Sequence, residues 1–131
     1  MNIPPPLAAF PLVSQWITFS ADGVGILSGR VELGQGITTA LIQMAADELD
    51  VPVEAITTIQ GHTGLSPAEG PTVGSLSVTF GGQSVRLAAS AARMLMLKHA
   101  AGLLQAQVGD LSVREGLILK DGVETGLSYA R

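Results

Sequence analysis

Two short stretches of the sequence place small residues and hydrogen-bonding side chains immediately before a predicted helix. The first is RVELGQGITT, residues 30–39, in which Gly34, Gln35 and Gly36 separate a strand-like pattern from a helix-like pattern. Glycine lets a ligand approach the backbone closely, and a glutamine amide both donates and accepts hydrogen bonds. The unpaired N–H groups and the dipole at a helix start attract anions. This stretch therefore has the chemistry of an anion-binding site.

The second stretch is TVGSLS, residues 72–77, which lies upstream of the second predicted helix. Its N–H groups and its hydroxyls can cradle a phosphate, and the residues concerned are Thr72, Gly74, Ser75 and Ser77. If both stretches bind a ligand, two helix N-termini are expected to converge on one anion. Ordinary turn and cap chemistry explains the same residues, and from spacing alone it is the favoured interpretation at each place.

No catalytic group accompanies either stretch. The carboxylates around the first predicted helix are interpreted as a solvated face: Glu32, Asp47, Glu48 and Asp50. His62 and Glu69 fall in a long loop without a Ser-His-Asp pattern, and the two histidines of the chain lack zinc-ligand spacing. Neither GxGxxG nor GxxxxGK[ST] is present. The sequence therefore predicts binding residues and neither a catalytic residue nor a metal ligand.

The second predicted helix carries two arginines and two methionines with different expected environments. Arg86 and Arg93 lie seven residues apart on one face, where they can meet an anion, although a solvated stripe is the favoured interpretation. Met94 and Met96 are predicted to lie in the core.

Composition narrows the class of protein. The chain has 131 residues, a formal charge of −4 and no cysteine, so it has no disulfide, thiolate site or Fe–S cluster of its own. No basic patch favours nucleic acid, and no apolar run of about 18 residues favours a membrane span. Charged residues make up 14% of the chain, against about 25% in typical domains. Either a partner covers part of the surface or the core is alanine-rich and helical, and composition favours neither.

The elements that must position these residues form an α+β domain after a proline-rich arm at residues 1–15. Alternation and the Asp22-Gly23 turn predict a β-hairpin over residues 16–33. The expected order is ββαβαββ, with a mixed sheet and both helices on one face. The remaining predicted elements are a helix over 37–50, a strand over 55–60, a long loop over 61–83, a helix over 84–107 and a hairpin over 111–120.

Residues 29–41, GRVELGQGITTAL, resemble the GxVELGQGIxTAL signature of the molybdenum hydroxylases, the xanthine dehydrogenase and aldehyde oxidase family. The branch that the chain resembles is the two-subunit type of isoquinoline 1-oxidoreductase and nicotinate dehydrogenase. The similarity covers nearly the whole chain in order. It continues through residues 46–51, 66–70, 72–77 and 92–93, and it includes the opening PPPLAAFPLVSQW.

The resemblance implies a role for each predicted site residue. It places Gln35, between Gly34 and Gly36, close to the oxo ligand of the metal, where an uncharged amide hydrogen-bonds and a carboxylate would repel. It assigns the 72–77 stretch to the phosphate or dinucleotide end of a molybdopterin-type cofactor, in a form that the sequence leaves open. Absence of the cofactor from the isolated chain is compatible with this assignment. Residues 16–131 are then a molybdopterin-binding domain. The enzyme that contains it would hydroxylate N-heteroaromatic rings or aldehydes with oxygen from water.

The chain also departs from the family pattern. Family members use a glutamate near the C-terminus of the large subunit as general base, and nothing here matches it. The chain is therefore expected to be an N-terminal fragment or single domain without activity of its own. Its expected partners are the rest of the large subunit and an Fe–S electron-transfer subunit, with self-association through exposed apolar surface as a further possibility and a cytoplasmic location. The alternatives are a free-standing anion- or nucleotide-binding module and a non-catalytic partner-packing domain.

Overall fold

The computed structural model describes residues 12–21, 23–28, 36–60 and 82–129 of the chain, except the side chains of residues 28, 59 and 60. The described residues form six strands and two helices. In chain order these are β1 (Ile17–Ser20), β2 (Gly23–Ser28), α1 (Ile37–Leu49), β3 (Ile56–Gln60), α2 (Gln83–Leu104), β4 (Leu111–Arg114), β5 (Leu117–Lys120) and β6 (Val123–Ser128). The α+β class predicted from the sequence is confirmed.

The first sheet has the order β1-β2-β3. Strands β1 and β2 form the predicted antiparallel hairpin, with Ile17 opposite Ile26. The predicted Asp22-Gly23 turn is wrong in one respect, because Gly23 pairs with Ser20 and belongs to β2. Gly23 enters β2 with φ +129°, and a Cβ there would clash with the carbonyl oxygen of Ala55, so this position needs glycine. Strand β3 pairs in parallel with β2, and Val24 faces Ile56. Parallel strands need a crossover connection, and α1 lies within that connection.

Helix α1 forms where the sequence changes to helical spacing. Ile37, Leu41, Ala45 and Leu49 lie on its buried face, as the i, i+4 pattern predicts. The helix ends one residue earlier than expected, because Asp50 adopts the left-handed conformation with φ +53°.

Helix α2 follows the long predicted loop, which lies outside the described residues. Five of its alanines are buried, which allows α2 to pack closely against α1: Ala88, Ala89, Ala92, Ala100 and Ala101. It ends at Leu104, earlier than the predicted residue 107, since Gln105 takes a left-handed φ of +52°. The expected core position of Met94 is wrong because this side chain lies on a face of the helix where it is 45% exposed. Met96, on a different face, packs against the core.

The second sheet differs most from the prediction. Strands β4, β5 and β6 form a separate antiparallel sheet, so the expected single mixed sheet becomes two and the order becomes ββαβαβββ. The additional strand β6 follows an Asp121-Gly122 turn whose residues have φ +51° and +81°, as hairpin turns of this kind require. The sequence of β6, VETGLS, alternates only weakly between apolar and polar residues. Pairing with β5 stabilises a strand that the sequence pattern does not predict.

Both sheets and both helices share one hydrophobic core. Its largest fully buried side chains are Trp16, Ile26, Leu41 and Leu49. The second sheet contributes Leu111, Val113 and Ile118 to the same cluster. The described residues therefore pack as one unit, and the position of each helix depends on both sheets.

Candidate functional site

The two segments that contain the predicted binding stretches follow neighbouring strand ends of the first sheet. Strands β2 and β3 run parallel in register to their last residues, where Ser28 lies opposite Gln60. The chain continues from these ends into residues 29–35 and 61–81, which lie outside the described part. Ligands of open α/β sheets bind beyond the carboxyl ends of parallel strands. The register of β2 and β3 thus makes this edge the candidate site.

The described wall of the candidate site is the start of helix α1. Gly36 precedes the helix with φ +84°, and a Cβ added there would meet no atom of the described residues within 4 Å. Its carbonyl oxygen accepts the first helical hydrogen bond, from the Ala40 N–H, at 3.2 Å. The first turn contains no acidic residue, so no carboxylate of its own opposes an approaching anion at this positive end of the dipole.

The start of helix α2 is offset from the start of α1. The Nε atom of Arg86, in the first turn of α2, lies 3.6 Å from a carboxylate oxygen of Glu48, in the last turn of α1. At a rise of about 1.5 Å per residue, Glu48 is roughly 18 Å along the helix from Gly36. The expected convergence of two helix starts on one anion is therefore not the arrangement of the described helices.

Among the seven predicted cofactor-binding residues, the structure describes Gly36 alone. The other six lie outside the described residues, namely Gly34, Gln35, Thr72, Gly74, Ser75 and Ser77, and their roles stay predictions. The same holds for Glu32, His62 and Glu69. In the described ranges, no group of three or more His, Cys, Asp or Glu side chains is placed to hold a metal ion.

The two arginines of α2 have different environments. Arg86 is 53% exposed and pairs with Glu48, which suits the predicted solvated stripe. Arg93 is half-buried, and its Nε atom is buried without a hydrogen-bond partner among the described residues. Its positive charge acts on Tyr129, which packs against Phe19 at the junction between the two sheets.

A cavity of about 170 Å³ lies at that junction, at the end of the first sheet opposite the candidate site. It is lined by Gly23 at the start of β2 and by Glu115, Gly116 and Tyr129 from the second sheet. The Tyr129 hydroxyl donates a 2.8 Å hydrogen bond to the Leu49 carbonyl oxygen. Since this buried hydroxyl already has a hydrogen-bond partner within the protein, we interpret the cavity as a gap between the two sheets.

Two acidic residues that the sequence assigned to a solvated face have partners far along the chain. Carboxylates are unfavourable at a helix C-terminus, yet Glu48 lies in the last turn of α1 and Asp50 directly follows the helix. Glu48 pairs with Arg86. The Oδ1 atom of Asp50 lies 3.5 Å from the Glu115 nitrogen, and its backbone carbonyl oxygen accepts a 2.7 Å hydrogen bond from the Gly116 N–H. The ion pair and the side-chain contact offset part of the unfavourable interaction with the dipole.

Sequence reasoning missed this group of contacts, although one signal for it was present. The hairpin predicted over residues 111–120 has Glu115 and Gly116 at its turn. In the structure these residues have φ +53° and +79°, a turn in which their N–H groups can point away from the hairpin. Nothing in the local pattern identifies Asp50 or Tyr129 as the groups that meet that turn.

The fold and the strand edge together define a class of protein. Residues 4–131 match the family model of the molybdopterin cofactor-binding domain, and the chain belongs to this family. The resemblance seen in the VELGQG stretch is thereby confirmed. No helix within the described ranges is long and apolar enough to cross a membrane.

The relatives are dehydrogenases and hydroxylases. The chain is 34% identical over 116 residues to a subunit of nicotinate dehydrogenase from Pseudomonas putida, covering 88% of this chain and 10% of that protein. It is 34% identical to the nicotine 6-hydroxylase large subunit of Paenarthrobacter nicotinovorans, covering 85% and 13%.

Solved structures agree with these relatives. Quinoline 2-oxidoreductase from Pseudomonas putida 86 superposes on 86% of this chain and 14% of its own, with a TM-score of 0.70 and 25% identity. Carbon monoxide dehydrogenase from Oligotropha carboxidovorans superposes on the same shares of the two chains, with a TM-score of 0.70 and 27% identity. The chain thus spans about a tenth of the length of the curated relatives named here.

Proposed function

We propose that the chain binds a molybdopterin-type molybdenum cofactor as part of an oxidoreductase that hydroxylates N-heteroaromatic rings or aldehydes with oxygen from water. The observation that carries this proposal is the family match over residues 4–131. Support for the substrate class comes from three relatives named for nicotinate, nicotine and quinoline, which are all nitrogen heteroaromatics. Whether the cofactor is a mono- or dinucleotide is left open by the proposal.

The described part of the site fits an anionic group. Gly36 has a left-handed backbone conformation, and no described residue would crowd a Cβ at this position. The first turn of α1 carries no carboxylate. In the proposal, Gln35 would hydrogen-bond the oxo ligand of the metal, and Gly34 and Gly36 would let the cofactor approach the backbone. When bound, the cofactor supplies the redox chemistry. The chain itself binds and orients it.

The second stretch is assigned to the phosphate end of the cofactor. Thr72, Ser75 and Ser77 would donate hydroxyl hydrogen bonds, and Gly74 would allow backbone N–H groups to approach the phosphate. The segment that contains this stretch, residues 61–81, follows the carboxyl end of β3, which is paired with the carboxyl end of β2. This common edge is the structural support for bringing both stretches to one ligand.

The purified 131-residue chain is proposed to lack hydroxylase activity, because it holds no counterpart of the family's general-base glutamate. Partners would complete the enzyme: the rest of a large subunit and an Fe–S electron-transfer subunit. A cytoplasmic location stays a prediction.

Exposed apolar residues on α2 support packing against a partner. Met94, Leu95 and Leu103 are 45%, 54% and 59% exposed, and Ala91 and Gly102 on the same helix are exposed as well. The exposed Lys98 and His99 interrupt this stripe. Small residues allow a partner helix to approach closely, and exposed apolar stripes are typical of interaction surfaces. We assign this stripe to the rest of the large subunit. Self-association is the other outcome, and sedimentation across a concentration series distinguishes them.

The test of the cofactor proposal is metal analysis of the chain produced in cells that make molybdopterin. Molybdenum and a fluorescent pterin are expected to copurify with the chain. Gln35→Ala should lower the molybdenum content, whereas Gln43→Ala, an exposed glutamine on α1, should leave it unchanged. A tight nucleotide complex without molybdenum would contradict the proposal and favour a free-standing nucleotide-binding module.

A further inference from the structure

The C-terminal end of helix α1 is held by groups from the second sheet. The Tyr129 hydroxyl donates to the Leu49 carbonyl oxygen at 2.8 Å, and the Gly116 N–H donates to the Asp50 carbonyl oxygen at 2.7 Å. The last carbonyls of a helix have no partner within it. Here a sheet that lies far along the chain supplies the donors.

The two donors are themselves joined. The Tyr129 N–H donates to the Gly116 carbonyl oxygen at 3.1 Å. The end of β6 and the β4–β5 turn therefore contact the end of α1 as one connected unit. Tyr129 is 6% exposed, and its ring packs on Phe19 of β1, with 5.3 Å between ring centroids. The clamp, defined as Tyr129 and Gly116 with their two carbonyl acceptors on Leu49 and Asp50, therefore also contacts the first sheet.

Burial keeps the clamp in one protonation state. Desolvation raises the pKa of Tyr129 to about 12, with the nearby Arg93 charge opposing the rise and Asp50 adding to it. The phenol therefore remains a donor at every physiological pH. It faces Arg93 from α2 and Asp50 from the end of α1.

The other end of α1 carries Gly36, which directly follows Gln35. A helix of 13 residues transmits a shift or rotation of one end to the other, since its backbone hydrogen bonds resist stretching. We propose that Tyr129 is a positioning residue: through its hydrogen bond to Leu49 it sets the axial position of α1, and thereby the position of Gly36 toward the cofactor. This inference rests on the proposed function.

The test compares two variants that each delete one hydroxyl donor. Tyr129→Phe removes the bond to Leu49. Thr125→Val removes the Thr125 Oγ1 bond to the Ile118 carbonyl oxygen at 2.8 Å, which lies wholly within the second sheet. Hydrogen exchange of the Ala40 and Leu41 amides reports the first turn of α1. Molybdenum per chain, after production in cells that make molybdopterin, reports the cofactor.

Tyr129→Phe is expected to speed exchange at Ala40 and Leu41 by about tenfold, the change that corresponds to one hydrogen bond of ordinary strength, and to lower retained molybdenum. Thr125→Val is expected to change neither. Gly116→Ala, which strains the same clamp from the β4–β5 turn, should act like Tyr129→Phe and guards against an effect peculiar to one variant.

Each other outcome overturns the inference. Unchanged exchange at Ala40 in both clamp variants would show that the two ends of α1 are uncoupled. Faster exchange with full molybdenum retention would show a purely structural clamp. Equal effects of Thr125→Val would show general loosening of the sheet. If the wild-type chain holds no molybdenum while exchange still responds to Tyr129→Phe, the proposed function fails and the positioning role fails with it.

Discussion

Replacing Gly116 by alanine should destabilise the protein more than replacing Gly122, although both glycines occupy equivalent turn positions. Gly116 has φ +79° and Gly122 has φ +81°, so alanine at either position carries the left-handed backbone cost of about 1–2 kcal/mol. The two sites differ in their surroundings. At Gly122 a Cβ meets nothing within 4 Å, whereas at Gly116 it lies 3.2 Å from Cγ1 of Val51.

That contact adds to the cost because Val51 has little freedom to move away. Valine is stiff at χ1, and Val51 is half-buried against the core. Crowding of this kind costs about 1–3 kcal/mol. The Gly116→Ala change should therefore lower the free energy of unfolding by at least about 1 kcal/mol more than Gly122→Ala, at the lower end of that range.

The measurement is urea unfolding of both purified variants, compared at equal m-value. A double-mutant cycle with Val51→Ala tests the cause. Without the Val51 methyl groups, the cost of Gly116→Ala should fall to that of Gly122→Ala. Equal costs for the two single variants, or no relief from Val51→Ala, would refute the contact between the β4–β5 turn and the end of α1.

Three further predictions concern stability. Tyr129 is the only tyrosine, so absorbance at 295 nm should give its pKa as about 12. Because this pKa is raised above the usual value of about 10, the stability that Tyr129 contributes should be complete below pH about 10 and should fall as the pH rises toward 12. Tyr129→Phe should remove that fall in thermal melts. Leu41→Ala, at a fully buried core position, should cost about 2–5 kcal/mol in urea unfolding, while Gln43→Ala on the exposed side of the same helix should change stability little. Arg86→Ala should cost under about 1 kcal/mol, because its pairing with Glu48 is largely solvent-exposed; a larger loss would show that the pair holds the two helices together.

Local elements were predictable because their causes lie within a few residues. The β1–β2 hairpin, the buried face of α1 and the alanine-rich helix α2 follow from alternation, i, i+4 spacing and left-handed turn residues. The helix ends were less predictable. Asp50 and Gln105 end their helices in left-handed conformations, which no nearby glycine signals.

The candidate site was predictable only as a set of residues. The family signature identified the stretch around Gln35, and the parallel register of β2 and β3 placed the two strand ends that precede the predicted stretches side by side. The offset of the helix starts was not predictable, because the ion pair between Arg86 and Glu48 depends on how α2 crosses α1. Similarly, Met94 is exposed and Met96 packs on the core because tertiary packing chooses which face of α2 is covered.

By itself, the sequence determined the cofactor family, the α+β class and the local elements, since these depend on motif residues and on short-range periodicity. The tertiary structure decided the division into two sheets, the sixth strand and the clamp on α1. The physical reason is distance along the chain. The Tyr129 hydroxyl meets the Leu49 carbonyl 80 residues away, and the Glu115 N–H approaches Asp50 across 65 residues. Such pairings arise only when packing brings together groups that no local pattern connects.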